Sequence, residues 1–378
     1  MKNPINNEII LKITSRCNLK CTYCHWFKDP MVMNFPKIIP VEIEDCFITR
    51  LDEHVRKYTP ETITIVMHGG EPLLFGKKRM QNFCRKMRIL EKQLGVNIRL
   101  SVTTNGILIN DEWVKIFKEH DVHVTVSIDG PKIIHDINRL LPNGLGSFEK
   151  VEAGIKVLKA NGIQFGVLAV ANLEIDAEEV ISGFVDDLEI KSFDVLIPKL
   201  NHDDRDKGLV KSISSFYCQL FNLWYDKYSK EGVNIRICED IARVLLKKEP
   251  RAQTIRGGRM RHISVEADGS LEPLYNLRIS GNEQVNTGLN IMNSGLDAVA
   301  TNPLWSHIKE MAETLPANCL DCIYKDCCRG GFIGSRYSSK NGYDNPTVYC
   351  DDYKEIFDNA WSKIQENLII THVNNVDC

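Results

Sequence analysis

From residue 8 to about 230 the sequence alternates apolar, β-rich runs with amphipathic helical patterns, six times over. The runs are Glu8–Ile13, Thr62–Met67, Ile98–Val102, His123–Ile128, Gln164–Val170 and Ser192–Ile197. Helical spacing fills the intervals over Val41–Lys57, Lys77–Leu94, Asp111–His120, Phe148–Lys159 and Ala177–Leu188, with Ser212–Tyr228 after the sixth run. Continuous apolar strands between such helices need a parallel sheet covered on both faces, the α/β class. Six units predict an open, partial (β/α)6 barrel, whose chemistry belongs in the loops at the carboxyl ends of the strands. The unusual residues fall there. Cys17, Cys21 and Cys24 follow the first strand, His68-Gly69-Gly70-Glu71-Pro72 the second, and Thr103-Thr104-Asn105-Gly106 the third. The fourth strand runs into Ser127-Ile128-Asp129-Gly130-Pro131, and the sixth into Pro198-Lys199-Leu200-Asn201-His202-Asp203-Asp204.

The cysteines after the first strand are spaced C-x3-C-x2-C. A cubane [4Fe–4S] cluster has four iron corners, and one tight loop of three thiolates holds three of them, leaving the last iron open. A structural zinc site asks for four protein ligands, so this trio alone does not complete one. The chain carries 13 cysteines and opens with no apolar run of signal-peptide length, which argues for metal ligation in a reducing compartment and a cytoplasmic location. Its net charge of −3, from 47 basic and 50 acidic residues, gives no basic excess for nucleic acid. No apolar stretch reaches membrane-spanning length, so no membrane partner is expected either.

Past residue 230 the pattern changes. Arg251, Arg256, Arg259 and Arg261 lead into a predicted hairpin of His262–Glu266, a turn through Gly269, and Leu271–Ile279. The basic run suits an acidic substrate segment or, more simply, a solvated face. Cys319, Cys322 and Cys328, spaced C-x2-C-x5-C, and then Cys350 form a second set, able to hold zinc or a fully ligated iron–sulfur cluster. Cys46, Cys84, Cys218 and Cys238 sit on apolar faces and are read as core; Cys327 is read as a spectator. These features divide the chain into 1–230 and 231–378.

The Cys17–Cys24 loop resembles the signature of the radical S-adenosylmethionine (SAM) superfamily. That resemblance implies that the open iron chelates SAM and that the reduced cluster cleaves it to a 5′-deoxyadenosyl radical, with a flavodoxin- or ferredoxin-type reductant supplying the electron. It places Tyr23 near the adenine, Gly69, Gly70 and Glu71 at the SAM ammonium, Ser127 and Asp129 at the ribose, and Arg139 at the carboxylate, where a planar guanidinium suits the task. Asn105 either orients the ribose or stabilises its own turn. The second cysteine set resembles the SPASM domain of radical SAM peptide and protein maturases. Full SPASM domains carry two auxiliary clusters, but Leu274 and Phe332 occupy two ligand positions of the first, and 251–262 contains no cysteine. One auxiliary [4Fe–4S] cluster, on Cys319, Cys322, Cys328 and Cys350, is therefore expected, with apolar side chains in place of the other.

Sulfatase-maturing enzymes place an acidic base directly after the cysteine missing here, where this chain has Tyr275. The segments Cys24–Asp29, His68–Arg79 and Tyr275–Ile279 look most like cyclophane-forming maturases of ribosomal peptides. The implied reaction joins an aromatic ring to a side-chain Cβ within a precursor peptide, whose leader docks on the barrel or the C-terminal region. His202, Asp203 and Asp204, beyond the sixth strand, are the candidate proton acceptors. Other outcomes are thioether formation, oxidation of a protein residue, radical dehydrogenation of a small molecule such as a sugar or cyclitol, and a non-enzymatic protein binding zinc at both cysteine sets.

Overall fold

The computed structural model describes residues 7–258, 260 and 262–374, apart from the side chains of Tyr275 and of 367–374. Arg259, Arg261 and Cys378 thus lie outside the described residues, as does the side chain of Tyr275. The principal strands are β1 (Glu8–Thr14), β2 (Thr62–Gly69), β3 (Asn97–Thr104), β4 (Val122–Ser127), β5 (Phe165–Val170), β6 (Ser192–Leu196), β7 (Ile263–Val265) and β8 (Leu271–Glu272). The principal helices are α1 (Val41–Tyr58), α2 (Lys77–Leu94), α3 (Asp111–Glu119), α4 (Phe148–Ala160), α5 (Ala177–Ser182), α6 (Ser214–Leu223) and α7 (Cys350–Asn374). Parallel strands alternate with helices, as the apolar pattern requires.

The chain packs into two compact units that interleave in sequence: residues up to Ile128 with His135–Gly166 and Met260–Lys309, and Asp129–Ile134 with Val167–Arg259 and the chain from Glu310. In the first unit, β1 pairs in parallel with β2, β2 with β3, and β3 with β4. Residues Ile9–Thr14 of β1 are all buried, so the strand lies inside the sheet and between covered faces. Local signals set the helix ends. Asn110 caps α3 by accepting from the Trp113 N–H at 3.2 Å, and α2 stops at Gly95, whose φ of 65° costs a glycine nothing. In the second unit β5 pairs in parallel with β6, Val167 opposite Phe193.

Three features differ from the sequence pattern. The helix predicted to run to Leu188 ends as α at Ser182 and continues as a π turn, with Leu188 N–H bonded to Gly183 O at 3.0 Å. A Cβ at Gly183 would collide with the Pro131 ring, so close packing fixes this glycine. α6 finishes the same way at Trp224–Tyr228. Third, the hairpin's second arm is short: β8 covers only Leu271–Glu272, and Tyr275–Ser280 is a 3-10 helix. The hairpin is not a separate ribbon, since β7 adds in parallel to the free edge of β1, with Leu11 opposite Val265.

Candidate functional site

β1 delivers the cysteine loop, and the loop after β2 is zipped to it. Gly70 N–H bonds Thr14 O at 3.1 Å, Glu71 N–H bonds Arg16 O at 2.8 Å, and the Thr14 hydroxyl donates to Glu71 O at 3.0 Å. A Cβ on Gly69 would strike Thr14 O, and one on Gly70 would strike Arg16 O. These glycines therefore serve the approach of one backbone to the other. Glu71 is turned inward: Oε1 accepts from Leu73 N–H at 2.9 Å and the Thr104 hydroxyl at 2.6 Å, and Oε2 from Asn105 N–H at 2.8 Å. Burial pushes its carboxyl up to about 7 in spite of those donors. Assigned from sequence to the SAM ammonium, Glu71 is here seen clamping the loops after β2 and β3 together.

Asn105 braces the same place. Its amide donates to Asn18 Oδ1 at 2.7 Å and to Cys17 Sγ at 3.7 Å, while its own oxygen accepts from Ile107 N–H at 3.1 Å. The Leu19 N–H also points at Cys17 Sγ, at 3.4 Å. Burial raises the Cys17 thiol to about 12, with Glu71 and the neighbouring Cys21 and Cys24 pushing the same way. Two donors aimed at one sulfur, and three thiols close enough to feel each other's charge, suit thiolate ligation of a cationic cluster. Arg139 reaches this loop too. Residues Lys20–Cys21 and Arg139–Leu140 form a two-stranded antiparallel ribbon, and the Arg139 guanidinium lies 5.5 Å from the centre of the Tyr23 ring. Ser127 ends β4; Asp129, in the second unit, accepts from Val170 N–H at 3.0 Å.

In the second unit Cys319, Cys322, Cys328 and Cys350 all line one cavity of about 410 Å3, together with Tyr324, Thr347 and Tyr353. Among the described residues, no three His, Cys, Asp or Glu side chains converge tightly enough to grip a single metal ion. Thiols spread around a shared cavity instead fit the corners of a polynuclear cluster. Burial raises Cys328 to about 12, with Cys319, Cys322 and Cys350 adding to it, a repulsion that a cationic cluster would relieve. Cys327 is absent from that lining and points its thiol at Val244 O, 3.7 Å away.

The proton-acceptor candidates are committed to the fold. His202, Asp203 and Asp204 open the short helix His202–Asp206. Asp204 closes a capping box with Asn201, Asp203 Oδ1 accepts from the Ser339 N–H at 2.9 Å, and His202 Nε2 sits 2.9 Å from Pro346 O. Nearby in sequence, burial lowers the Lys199 ammonium to about 8.

Pattern reasoning also missed a polar row in the first unit. Lys12 lies in an otherwise apolar strand, with Nζ 3.2 Å from His68 Nδ1 and 4.1 Å from the centre of the Trp26 ring. Arg278, in the 3-10 helix beyond β8, is ion-paired to both Asp29 and Glu272. Leu274 is buried as expected, and Glu266, Glu272 and Arg278 of the same hairpin region are buried as well. A lysine flanked by Leu11 and Ile13 was the available signal.

Residues 11–181 match the family model for the Radical SAM superfamily. The chain carries a radical SAM domain. It is 27% identical over 375 residues to a "Cysteine-type anaerobic sulfatase-maturating enzyme" of Clostridium novyi, covering 94% of this chain and 95% of that one. A "Serine-type anaerobic sulfatase-maturating enzyme" of Bacteroides thetaiotaomicron is 37% identical over 160 residues, 41% of this chain and 37% of that one. Among solved structures, "Native anSMEcpe with bound AdoMet" superposes with a TM-score of 0.82 at 23% identity, covering 98% of this chain and 99% of that one. Streptococcus suis SuiB bound to S-adenosylmethionine gives a TM-score of 0.58 at 16% identity, covering 92% of this chain and 75% of that one. These likenesses are of fold, and they establish the expected class: a partial (β/α)6 radical SAM barrel followed by a SPASM-like region. SAM and [4Fe–4S] clusters are its cofactors. The cyclophane resemblance drawn from three short segments gains no support from these relatives, the first two of which are named for sulfatase maturation. Among the described residues, no helix is long and apolar enough to cross a membrane.

Proposed function

We propose that this radical SAM enzyme oxidises a side chain within a peptide or protein substrate, removing two hydrogens and leaving a bond from a side-chain Cβ to an aromatic ring. The carrying observations are a braced Cys17/Cys21/Cys24 loop in one unit and, in the other, a cavity lined by Cys319, Cys322, Cys328 and Cys350. The relatives' names, which speak of maturing another protein, support a polypeptide substrate. The crosslink is supported by Tyr275 standing where an acidic residue would serve aldehyde formation, and by the Cys24–Asp29, His68–Arg79 and Tyr275–Ile279 segments.

When bound, SAM and the clusters supply a carbon-centred deoxyadenosyl radical and accept one electron. The chain does the rest. Cys17, Cys21 and Cys24 hold the SAM-binding cluster at the carboxyl end of β1, and Glu71 and Asn105 keep that loop rigid. Tyr23, Gly69, Gly70, Ser127, Asp129 and Arg139 orient the cosubstrate. Cys319, Cys322, Cys328 and Cys350 hold the auxiliary cluster, so residues 1–230 carry SAM chemistry and 231–378 the auxiliary cluster. The ring must be held within van der Waals reach of the Cβ, so that capture outruns quenching. A base must then take the ring proton; the sequence offers His202, Asp203 and Asp204.

The test is coexpression with a candidate precursor peptide, sought among short reading frames beside the gene, followed by mass analysis. The expected product weighs two hydrogens less, does not react with hydrazine, and resists fragmentation between the joined residues. Oxidation to an aldehyde is the second reading, favoured by the end-to-end match to a sulfatase-maturating enzyme. A hydrazine-reactive product would establish it in place of the crosslink.

A further inference from the structure

The hairpin edge puts two buried carboxyls beside the cysteine loop. Lys12 of β1 is opposite His68 of β2, and carrying the β1–β7 register one residue past Leu11 and Val265 sets Glu266 beside Lys12. Ser264 of β7 is opposite Glu272 of β8. Side chains two apart on a strand share a face, so His68, Lys12, Glu266 and Glu272 form one polar row at the carboxyl end of the sheet. Lys12 also contacts Trp26, two residues past Cys24, so the row adjoins the loop that holds SAM.

Glu266 is 0% exposed, and neither of its oxygens has a donor among the described residues. Its hydrogen-bonding neighbour is the Glu272 carboxyl, which donates only when protonated. Oε2 of Glu272, Nε of Arg278 and the indole Nε1 of Trp26 are likewise buried without partners. Burial holds both carboxyls above the usual range, Glu266 at about 7, with the charge of Glu266 adding to the effect on Glu272. The groups that face Glu266 are Lys12 and Arg278, which favour its ionised form, and Asp268, which opposes it; His68 lies across Lys12. Arg278 is shared between Asp29 and Glu272, and Lys12 is the other cation that faces the carboxyl pair. Two carboxyls in contact resist carrying two charges at once, which keeps one basic oxygen site away from solvent. A buried acceptor with no donor is expensive, and functional sites are where such groups persist.

We infer that Glu266, supported by Glu272 and Lys12, is the proton acceptor of the oxidation, in place of His202, Asp203 or Asp204. This rests on the proposed function. The balance is complete: a hydrogen atom leaves the substrate Cβ for the SAM-derived radical, one electron goes to an iron–sulfur acceptor, and the remaining proton goes to Glu266. The same carboxylate would serve either a ring proton or an aldehyde-forming oxidation.

Two measurements test it on the full-length, cluster-loaded protein. Infrared titration without substrate should show a carboxyl that ionises near pH 7 in wild type and is missing in Glu266→Gln; wild type lacking such a carboxyl would overturn the inference. With the coexpressed peptide, Glu266→Gln should still form 5′-deoxyadenosine but make product at least ~100-fold more slowly, within the usual worth of a general base. Glu266→Asp should recover part of that loss, a rescue that a purely structural role would not give. Should Glu266→Gln fail to fold, Glu266→Asp carries the test through a shifted pH profile of product formation. Product at the wild-type rate in Glu266→Gln, or loss in Asp203→Asn alone, would sink the assignment. A wild type that leaves the peptide unmodified speaks against the proposed function, while the titration still decides whether Glu266 is poised as described.

Discussion

Gly70 shows how narrowly single residues are fixed here. Its N–H bonds Thr14 O, and an added Cβ would strike the backbone of Arg16 and Cys17. Gly70→Ala should therefore loosen the cysteine loop and lower iron content after anaerobic reconstitution. Gly166→Ala, whose Cβ would meet Thr125 only at 3.6 Å, should load normally. Equal iron in both variants would contradict the close approach. Glu266 makes a pH prediction at the same scale. Its folded-state pKa, about 7, lies above the ordinary glutamate value, so its contribution to stability is full in acid and is lost as pH rises through 7. Glutamine stays neutral throughout. Wild type should lose stability relative to Glu266→Gln between about pH 5 and pH 8, by about 3 kcal/mol at 1.36 kcal/mol per unit. Melting temperatures of both proteins across that range would show it.

At the scale of elements, strand and helix boundaries follow from short-range rules and match the sequence pattern closely. α2 occupies Lys77–Leu94 as predicted, and β1 runs one residue beyond its apolar stretch. The hairpin did not follow them. Its second arm gives way to a 3-10 helix because Arg278 is drawn into ion pairs with Asp29 and Glu272, and Leu274 packs into the core. Breaking that arrangement from one side should be costly. Arg278→Ala leaves Asp29, Glu266 and Glu272 buried without its charge, and should lower unfolding free energy by about 3–5 kcal/mol, the usual penalty for halving a buried pair. Urea denaturation of the reconstituted protein measures it; a change below 1 kcal/mol would mean the pairs carry little.

For the whole molecule, the two cysteine sets predict two [4Fe–4S] clusters and about eight irons per chain. Replacing Cys17, Cys21 and Cys24 together should remove half the iron and all SAM cleavage. Replacing Cys319 and Cys322 should remove the other half and leave SAM cleavage in place. Iron near twelve per chain would reveal ligands that Leu274 and Phe332 do not supply.

By itself the sequence determined the α/β alternation, the cysteine loop and the strand-end positions of its partners, because periodicity and spacing are local properties of a chain. It also placed the second cysteine set, whose four thiols do share a cavity. The tertiary structure alone decided that Glu71 turns inward onto Leu73, Thr104 and Asn105, that β7 closes the edge of β1, and that Arg278 meets Asp29 from 249 residues away. It also brought Lys12, Glu266 and Glu272 within reach of one another's charge. Each of these depends on strand register across distant segments, and register is fixed only when the sheet buries its apolar faces. A lysine or glutamate in an apolar run carries no mark of its partner until that burial brings the two together.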